Sequence, residues 1–216
     1  HALLLDGQVF TVGDRVLRVN DLDFADFRRD LRVSFWGDLV AGDTVTYTVA
    51  RGSETLQVTA VLPANTPSDI LDLSLSQWFL APVFWLAAVV TALVVRPRDT
   101  RWRLLVAFNA VTAVWLVAST LSRWHLWESA IVLRLAILLS VPIYWHLHWR
   151  FPTPLAALPN WFLGLLYGVP VGLCLAEALQ VTPQSAYFIS FAAAIGGVIL
   201  IWIVRWARRT PIPGGR

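Results

Sequence analysis

The sequence predicts a membrane protein in which a small α+β domain is followed by an all-α bundle of five transmembrane helices. Residues 78–95 form an 18-residue run without a charge, which as a helix is long enough to cross the hydrocarbon core of a bilayer. Four more apolar runs follow it, and the residues before it alternate polar and apolar side chains as β-strands do. The composition agrees, because 14% of the residues are charged where soluble domains carry about 25%.

The first domain is expected over residues 1–70. Its strands are predicted at residues 15–20, 44–51 and 54–62. Gly52 lies in the short turn between the last two strands, so these two form a hairpin. Between the first two strands, apolar side chains recur at helical spacing, which predicts a helix over residues 23–33 capped by Asp23.

The transmembrane region is expected over residues 71–209, with residues 210–216 as a tail. Its five spans are predicted at about residues 78–95, 104–121, 130–147, 161–179 and 186–204. Most of the 12 tryptophans fall near the ends of these spans, where amphipathic rings favour the membrane interface. Trp124 and Trp127 are assigned to this interfacial belt.

The distribution of arginine predicts the orientation of the chain. Nine arginines lie in the segments expected on one side of the membrane, and only Arg123 lies in the loops expected on the other; the arginine-rich segments are residues 96–103, 146–160 and 205–216. The positive-inside rule then places the tail in the cytoplasm and the first domain outside. Because the basic surplus flanks the spans and residues 1–77 carry a net charge of −5, we expect a lipid bilayer and no nucleic acid as partner.

Two segments of the first domain resemble the PDZ domains of bacteria. Residues 13–20 (GDRVLRVN) are similar to their "GDRIL-x-VNG" strand, and residues 41–52 (AGDTVTYTVARG) are similar to their later "G-D-x-V-x-L-x-V-x-R-x-G" hairpin. The resemblance covers residues 7–62 and rests most on Gly13, Asp14, Asn20, Gly42 and Asp43. It implies a PDZ-like fold that contacts a protein partner. Residues 1–12 carry no Gly-Leu-Gly-Phe carboxylate-binding loop and Asp21 replaces the usual glycine, so an interaction surface or spacer and a working peptide groove are both retained as interpretations.

The whole order resembles the N-terminal input region of bacterial multi-span membrane sensors. Residues 148–152 (HWRFP) look like the aromatic loop with Phe-Pro found in their membrane regions. The resemblance implies a place in the bacterial cytoplasmic (inner) membrane, sensing or docking by the outer domain, and transmission to an effector that follows Arg216. The chain, which begins at His1, is expected to be a piece of a longer protein. The alternative is an accessory or scaffolding subunit of a larger membrane complex, and a homodimer is also retained.

Arg134 and Glu177 are the charged residues predicted inside spans. Adjacent antiparallel helices would bring the two to a similar depth, so we predict an intramembrane ion pair. Snorkelling of Arg134 to the interface and a ligand or signalling role are the alternatives.

Small residues four apart mark helix faces that allow close approach. They are Gly164 and Gly168 in the fourth span, and Ala192 with Gly196 and Ala193 with Gly197 in the fifth. We interpret them as packing positions within the bundle, with a dimer contact as the alternative.

The sequence offers few groups with catalytic or cofactor chemistry. His146 and His148 point about 200° apart on a helix, so they cannot share a metal, although each alone could ligate a haem or chlorophyll-type macrocycle. Interfacial histidines are the plainer interpretation. Cys174 is the single cysteine, and the sequence has no H-E-x-x-H, G-x-S-x-G or glycine-rich phosphate loop. We therefore expect no catalytic or metal site, no cofactor and no enzymatic activity.

Overall fold

The computed structural model describes residues 3–4, 10–64, 66–68, 71, 79–183 and 185–208. The chain divides into two compact units. The domain unit combines His1–Gln77 with Leu121–Ala130, and the helical unit combines Trp78–Thr120 with Ile131–Arg216. The domain predicted over residues 1–70 therefore gains a distant segment, which lies between the second and third predicted spans. The predicted tail, residues 210–216, lies outside the described residues.

In the part of the chain that the structure describes, the domain unit is built on an antiparallel sheet of five strands in the order β1-β5-β4-β2-β3. The strands are β1 Leu3–Leu4, β2 Arg15–Val19, β3 Leu22–Asp23, β4 Thr44–Arg51 and β5 Glu54–Val61. β4 and β5 form the predicted hairpin, in which Arg51 pairs with Glu54. Gly52 makes the turn with a φ of +61°, a conformation that costs glycine little.

Alternation along β4 and β5 creates the core of this domain. Val45, Tyr47 and Val49 are buried on one face of β4, and Val58 and Ala60 lie opposite them on β5. The helix α1, Phe24–Arg29, adds its aromatic side chains to this cluster. A small sheet thus buries one apolar face, as an antiparallel sheet requires.

The helix α1 begins where the sequence predicts and ends earlier. The Asp23 carboxylate accepts the Ala25 N–H at 2.7 Å, which satisfies a free donor of the first turn. Asp30 then leaves the helical conformation, and its Oδ1 accepts the Arg32 N–H at 2.9 Å. This local side-chain bond competes with the helix, so the prediction that the helix reaches residue 33 is wrong. Leu31 is nevertheless buried.

The remaining helices are long and apolar. They are α2 Leu80–Val94, α3 Thr100–Leu121, α4 Ser129–Arg150, α5 Asn160–Ala178 and α6 Ala186–Ala207. Four of them, α3 to α6, have the length and apolar composition to cross a membrane, which makes this a multi-pass membrane protein. The helix α2 has 15 described residues, and residue 78, where the first span was predicted to begin, lies outside the described residues.

Burial places α4 at the centre of the helical unit. In its apolar window 44% of the residues are buried within the protein, against 11% for α5 and 17% for α6. The faces of α5 and α6 that remain uncovered are apolar, as contact with lipid requires.

Candidate functional site

The loop between α3 and α4 is part of the core of the domain unit. This α3–α4 loop (residues 122–128) consists of two 3-10 turns, Ser122–Trp124 and Leu126–Glu128. The Trp124 ring packs against Phe35 and Trp36, with ring centroids 5.0 and 5.3 Å apart. The Phe35 N–H donates to the Trp124 carbonyl at 3.0 Å. The loop is therefore held by aromatic packing and by a backbone hydrogen bond.

His125 makes the second attachment of the α3–α4 loop. Its ring stacks on Phe27 of α1 with centroids 4.1 Å apart, and its Nδ1–H donates to the Val33 carbonyl at 3.1 Å. The side chain is buried. Trp127, two residues later, is 84% exposed and belongs to the same loop without sharing its core contacts. One short loop thus carries a partly buried tryptophan, Trp124, that packs on the domain core and an exposed tryptophan, Trp127.

The backbone of the α3–α4 loop is strained. His125, Trp127 and Glu128 have φ values of 51°, 51° and 56°, in the left-handed region that L-residues avoid at a cost of about 1–2 kcal/mol each. The Ser129 hydroxyl is buried and has no hydrogen-bond partner among the described residues. Strain of this kind persists only when the surrounding contacts overdetermine the conformation. The contacts of Trp124 and His125 supply that constraint.

A chain of hydrogen bonds joins the two helices that flank this loop. The Trp115 Nε1–H donates to the Tyr144 hydroxyl at 3.2 Å, and Tyr144 and Thr112 hydroxyls are 2.6 Å apart. Thr112 in turn donates to the Phe108 carbonyl at 2.6 Å. The side chains of Trp115, Tyr144 and Thr112 thereby satisfy their polar groups inside the apolar helices, and α3 is fixed to α4.

Arg134 and Glu177 lie together, as an ion pair between α4 and α5. The Glu177 side chain is 1% exposed, and its second oxygen accepts the Thr182 hydroxyl. The Arg134 guanidinium also lies over the Tyr187 ring of α6, 5.0 Å from its centroid. The pair therefore connects three helices, and its burial means that removing either partner would strand the other charge in an apolar setting.

Asp14 anchors the strand that carries the first PDZ-like motif. Its two oxygens accept the Arg51 Nε–H and Nη2–H, both at 2.8 Å, and also the Thr11 N–H and hydroxyl at 2.8 and 2.9 Å. The Arg51 guanidinium, and after it the Thr11 N–H, hold the pKa of Asp14 well below its usual range. Gly13 makes the preceding turn with a φ of +101°.

The other residues of the PDZ-like motifs also hold turns. Asn20 has a φ of +48°, and its Oδ1 accepts the Thr46 N–H at 2.8 Å. Gly42 has a φ of +99°, and Asp43 closes the same turn by accepting the Val40 N–H at 2.8 Å. The quoted motif residues thus act on the backbone of the fold.

One of the three small-residue pairs is occupied within the bundle. The Trp145 indole of α4 donates to the Ala193 carbonyl at 3.0 Å, and a Cβ at Gly197 would overlap the same ring. The other small residues lie open within the described part of the chain: Ala192 is exposed, and Gly164, Gly168 and Gly196 have no atom within 4 Å of where a Cβ would stand.

The two histidines of α4 have different surroundings. The His146 Nδ1 lies 2.9 Å from the Tyr167 hydroxyl, and its Nε2 accepts the Arg150 Nε–H at 3.2 Å, so both ring nitrogens are engaged. The His148 Nδ1–H donates to the Tyr144 carbonyl one turn earlier, at 2.8 Å. Hydrogen bonds thus account for both nitrogens of His146, and coordination of a macrocycle would have to displace one of them.

Arg205 of α6 holds the end of α4. It donates to the carbonyls of His148, Trp149 and Thr153, at distances of 2.8 to 3.0 Å. A cation at these carbonyls satisfies acceptors that the last turn of a helix leaves free and complements the helix dipole. The sequence shows this arginine only as part of the basic segment.

Within the described residues no group of three or more His, Cys, Asp or Glu side chains could hold a metal ion. The Cys174 thiol points to the Leu135 carbonyl, 3.8 Å away. No protein-family model, curated protein or solved structure matches the chain.

Sequence reasoning missed the α3–α4 loop as part of the domain. It placed Trp124 in the interfacial belt, whereas the structure places Trp124 against the domain core. Trp124 and Trp127 have the same position relative to a span end, so interfacial preference alone does not separate them. The available signal was a loop of seven residues with two tryptophans and a histidine, a composition richer in aromatic surface than a plain helix connection needs.

Proposed function

We propose that this chain is a non-catalytic sensory or regulatory input module of the membrane. In this proposal the PDZ-like domain docks a protein or senses a signal outside the bacterial inner membrane. The helices then transmit its state to an effector in the cytoplasm. Five helices cross the bilayer, with α2 as the first, and the arginine-rich ends of the bundle face the cytoplasm.

The observation that carries the proposal is the α3–α4 loop in the domain core. Trp124 and His125 are packed into the domain, while peptide bonds connect the same seven residues to α3 and α4. A partner that shifted Phe35 or α1 would act on both helices through the loop. A domain that only served as a spacer would need no such attachment.

Two further features support transmission. The loop holds three non-glycine residues with left-handed backbone, a local strain that a change in packing would release. The Trp115–Tyr144–Thr112 chain also fixes α3 to α4, so the two helices would respond together. Transmission between the domain and the helices needs an element with two conformations whose equilibrium depends on both of them. We propose that the α3–α4 loop is this element.

The test compares two tryptophan substitutions in the same loop by hydrogen exchange of the full chain in lipid nanodiscs. Trp124→Ala removes the core contacts and should cost about 2 kcal/mol locally. We expect amide exchange to rise by about tenfold or more in β4 and also at the loop ends of α3 and α4. Trp127→Ala, which removes an exposed ring, should leave both regions unchanged.

If Trp124→Ala raises exchange in the domain and leaves α3 and α4 as they were, the domain does not act on the helices and the proposal fails. An equal rise in amide exchange with Trp127→Ala would mean that any substitution in the loop raises exchange in both regions, whether or not it removes a contact with the domain core.

The accessory-subunit alternative has one observation in its favour. The open small-residue faces of α5 and α6, at Gly164, Gly168 and Gly196, suit close contact with another helix. Purification from the native membrane separates the two functions. An intact mass well above 24.1 kDa supports an effector in the same chain, whereas fixed-ratio recovery with other chains and a mass near 24.1 kDa supports the subunit.

A further inference from the structure

An open polar cavity of about 380 Å³ lies within the helical unit, where α3 begins and α4 ends. Two guanidinium groups and one carboxylate line it, together with a threonine and a proline: Asp99, Thr100, Arg101, Arg150 and Pro154. It is formed by the ends of helices, which is the level at which lipid headgroups meet a membrane protein.

The carboxylate of the cavity is already engaged. Asp99 accepts the Trp102 N–H at 3.0 Å and the Arg101 Nε–H at 2.9 Å. The Trp102 N–H, and after it the Arg101 guanidinium, lower the pKa of Asp99 from its usual value, so it is ionised at neutral pH. The two arginines and the one ionised aspartate therefore give the lining of the cavity a net charge of +1.

Arg150 is oriented by a single bond. Its Nε–H donates to His146 Nε2 at 3.2 Å, which fixes the plane of the guanidinium. Its two terminal nitrogens make no hydrogen bond with any described residue, and Arg150 is one of the residues that line the cavity. A planar guanidinium with its outer edge uncommitted matches a phosphate or carboxylate in geometry.

More positive charge surrounds the cavity. Arg101 Nη1 reaches the Pro152 carbonyl at 3.4 Å, Arg208 reaches the Leu155 carbonyl at 3.4 Å, and Arg205 holds the carbonyl of Thr153. These arginines converge on the loop that supplies Pro154. The N-terminus of the 22-residue α3 adds the positive end of its dipole.

An apolar cavity of about 170 Å³ is lined by residues of the same end of α4 that supplies Arg150 to the polar cavity. Trp149 and His146 line it with side chains of α5 and α6, among them Phe162 and Leu200. His146 thus borders the apolar cavity and bonds the arginine of the polar cavity. This pairing of a cationic with an apolar recess suits an amphipathic molecule better than a free ion.

We propose that the polar cavity binds a phosphate group, and that the phosphate belongs to the headgroup of an anionic phospholipid whose acyl chain lies in the apolar cavity. Arg150 and Arg101 contact the phosphate oxygens, and Asp99 keeps Arg101 in place. Basic recesses between transmembrane helices commonly take such headgroups.

The test measures the thermal unfolding midpoint of the full chain in uncharged detergent. Phosphatidylglycerol and phosphatidylcholine with identical acyl chains are titrated separately. We expect phosphatidylglycerol to raise the midpoint at a lower mole fraction than phosphatidylcholine. Arg101→Gln and Arg150→Gln should each raise its half-saturating mole fraction by about tenfold. Arg103→Gln, an exposed arginine that does not line the cavity, should change it by less than about twofold.

An equal loss in the Arg103→Gln variant, or equal protection by the two lipids, would overturn the proposal. If Arg150→Gln lowers the midpoint even without lipid, the test rests on the lipid titration of Arg101→Gln. Arg101 is exposed, and its substitution leaves the hydrogen bond between Arg150 and His146 intact. Sodium phosphate at constant ionic strength forms the last arm. Protection by free phosphate that depends on Arg101, with none added by phosphatidylglycerol, would keep the phosphate site and reject the lipid as its source.

Discussion

At the scale of single residues, the charged groups of this protein act mainly by fixing backbone. Asp14 joins the start of β2 to the end of β4, and Arg205 gathers three carbonyls at the end of α4. Asp14 was singled out because residues 13–20 resemble the first PDZ strand motif. Its partner Arg51 was part of the second motif, but spacing alone does not bring together residues 37 positions apart; sheet pairing does.

Substitution of Asp14 gives a pH-dependent prediction. A carboxyl whose folded pKa lies below its unfolded value of about 3.9 stabilises the fold above that pH, and the contribution is lost as the pH falls toward the folded pKa. At pH 7, Asp14→Asn should therefore lower the thermal midpoint of the full chain. The difference from the native protein should narrow progressively below about pH 4.

Asp38→Asn provides the matched control for this measurement, because Asp38 is an exposed aspartate of the same domain. It should shift the midpoint little at any pH. A gap between native protein and Asp14→Asn that stays constant from pH 7 to pH 3 would show that the carboxylate charge is not what stabilises the turn.

At the scale of elements, one of the contacts between helices α4 and α6 is made by a tryptophan of α4, Trp145. Small residues at a spacing of four predicted close approach on two faces of α6, which are rotated by about 100° from each other. Of these two faces, the one with Ala193 and Gly197 is the one that contacts α4 within the described residues, where Trp145 fills the space that the missing side chain leaves. The spacing is identical on both faces, so the choice between them depends on tertiary packing.

Adjacent glycines of α6 allow a direct comparison. Gly197→Ala places a methyl group in the Trp145 ring and should lower the free energy of unfolding by about 1–3 kcal/mol. Gly196→Ala meets nothing within 4 Å and should be neutral or slightly stabilising, since alanine is the better helix former. Unfolding in mixed micelles with an increasing fraction of denaturing detergent measures the stability of both variants. Equal losses of stability would mean that Trp145 does not pack specifically against Gly197.

At the scale of the whole molecule, apolar run length predicted the helices well because a bilayer demands about 20 apolar residues whatever the sequence. Residues typical of strands and the glycine turn between them predicted β4 and β5, and the alternation seen along both strands follows because one face of the sheet must be buried. The return of the α3–α4 loop to the domain was not predicted. It depends on the fit of Trp124 and His125 to a core whose shape the sequence does not display.

The number of spans can be tested through the sides of the two chain ends. Five spans put the ends on opposite sides of the membrane, and four put them on the same side. We expect protease added to spheroplasts to remove an N-terminal tag and to spare a C-terminal tag, which permeabilised cells should lose. Loss or survival of both tags together in intact spheroplasts would mean that α2, with its 15 residues, does not cross.

The loop in the domain core also constrains the order in which the protein can be made. β5 ends at Val61, and Trp124, which packs on the same core, leaves the ribosome about 60 residues later. At ~5–20 residues per second this is a delay of roughly 3 to 12 s. In the proposed five-span topology, α2 and α3 enter the membrane during that interval and return the loop to the side of the domain. The domain can thus close correctly only after α3 has been inserted. A cellular quality-control system that recognises open domains could therefore remove chains whose insertion failed.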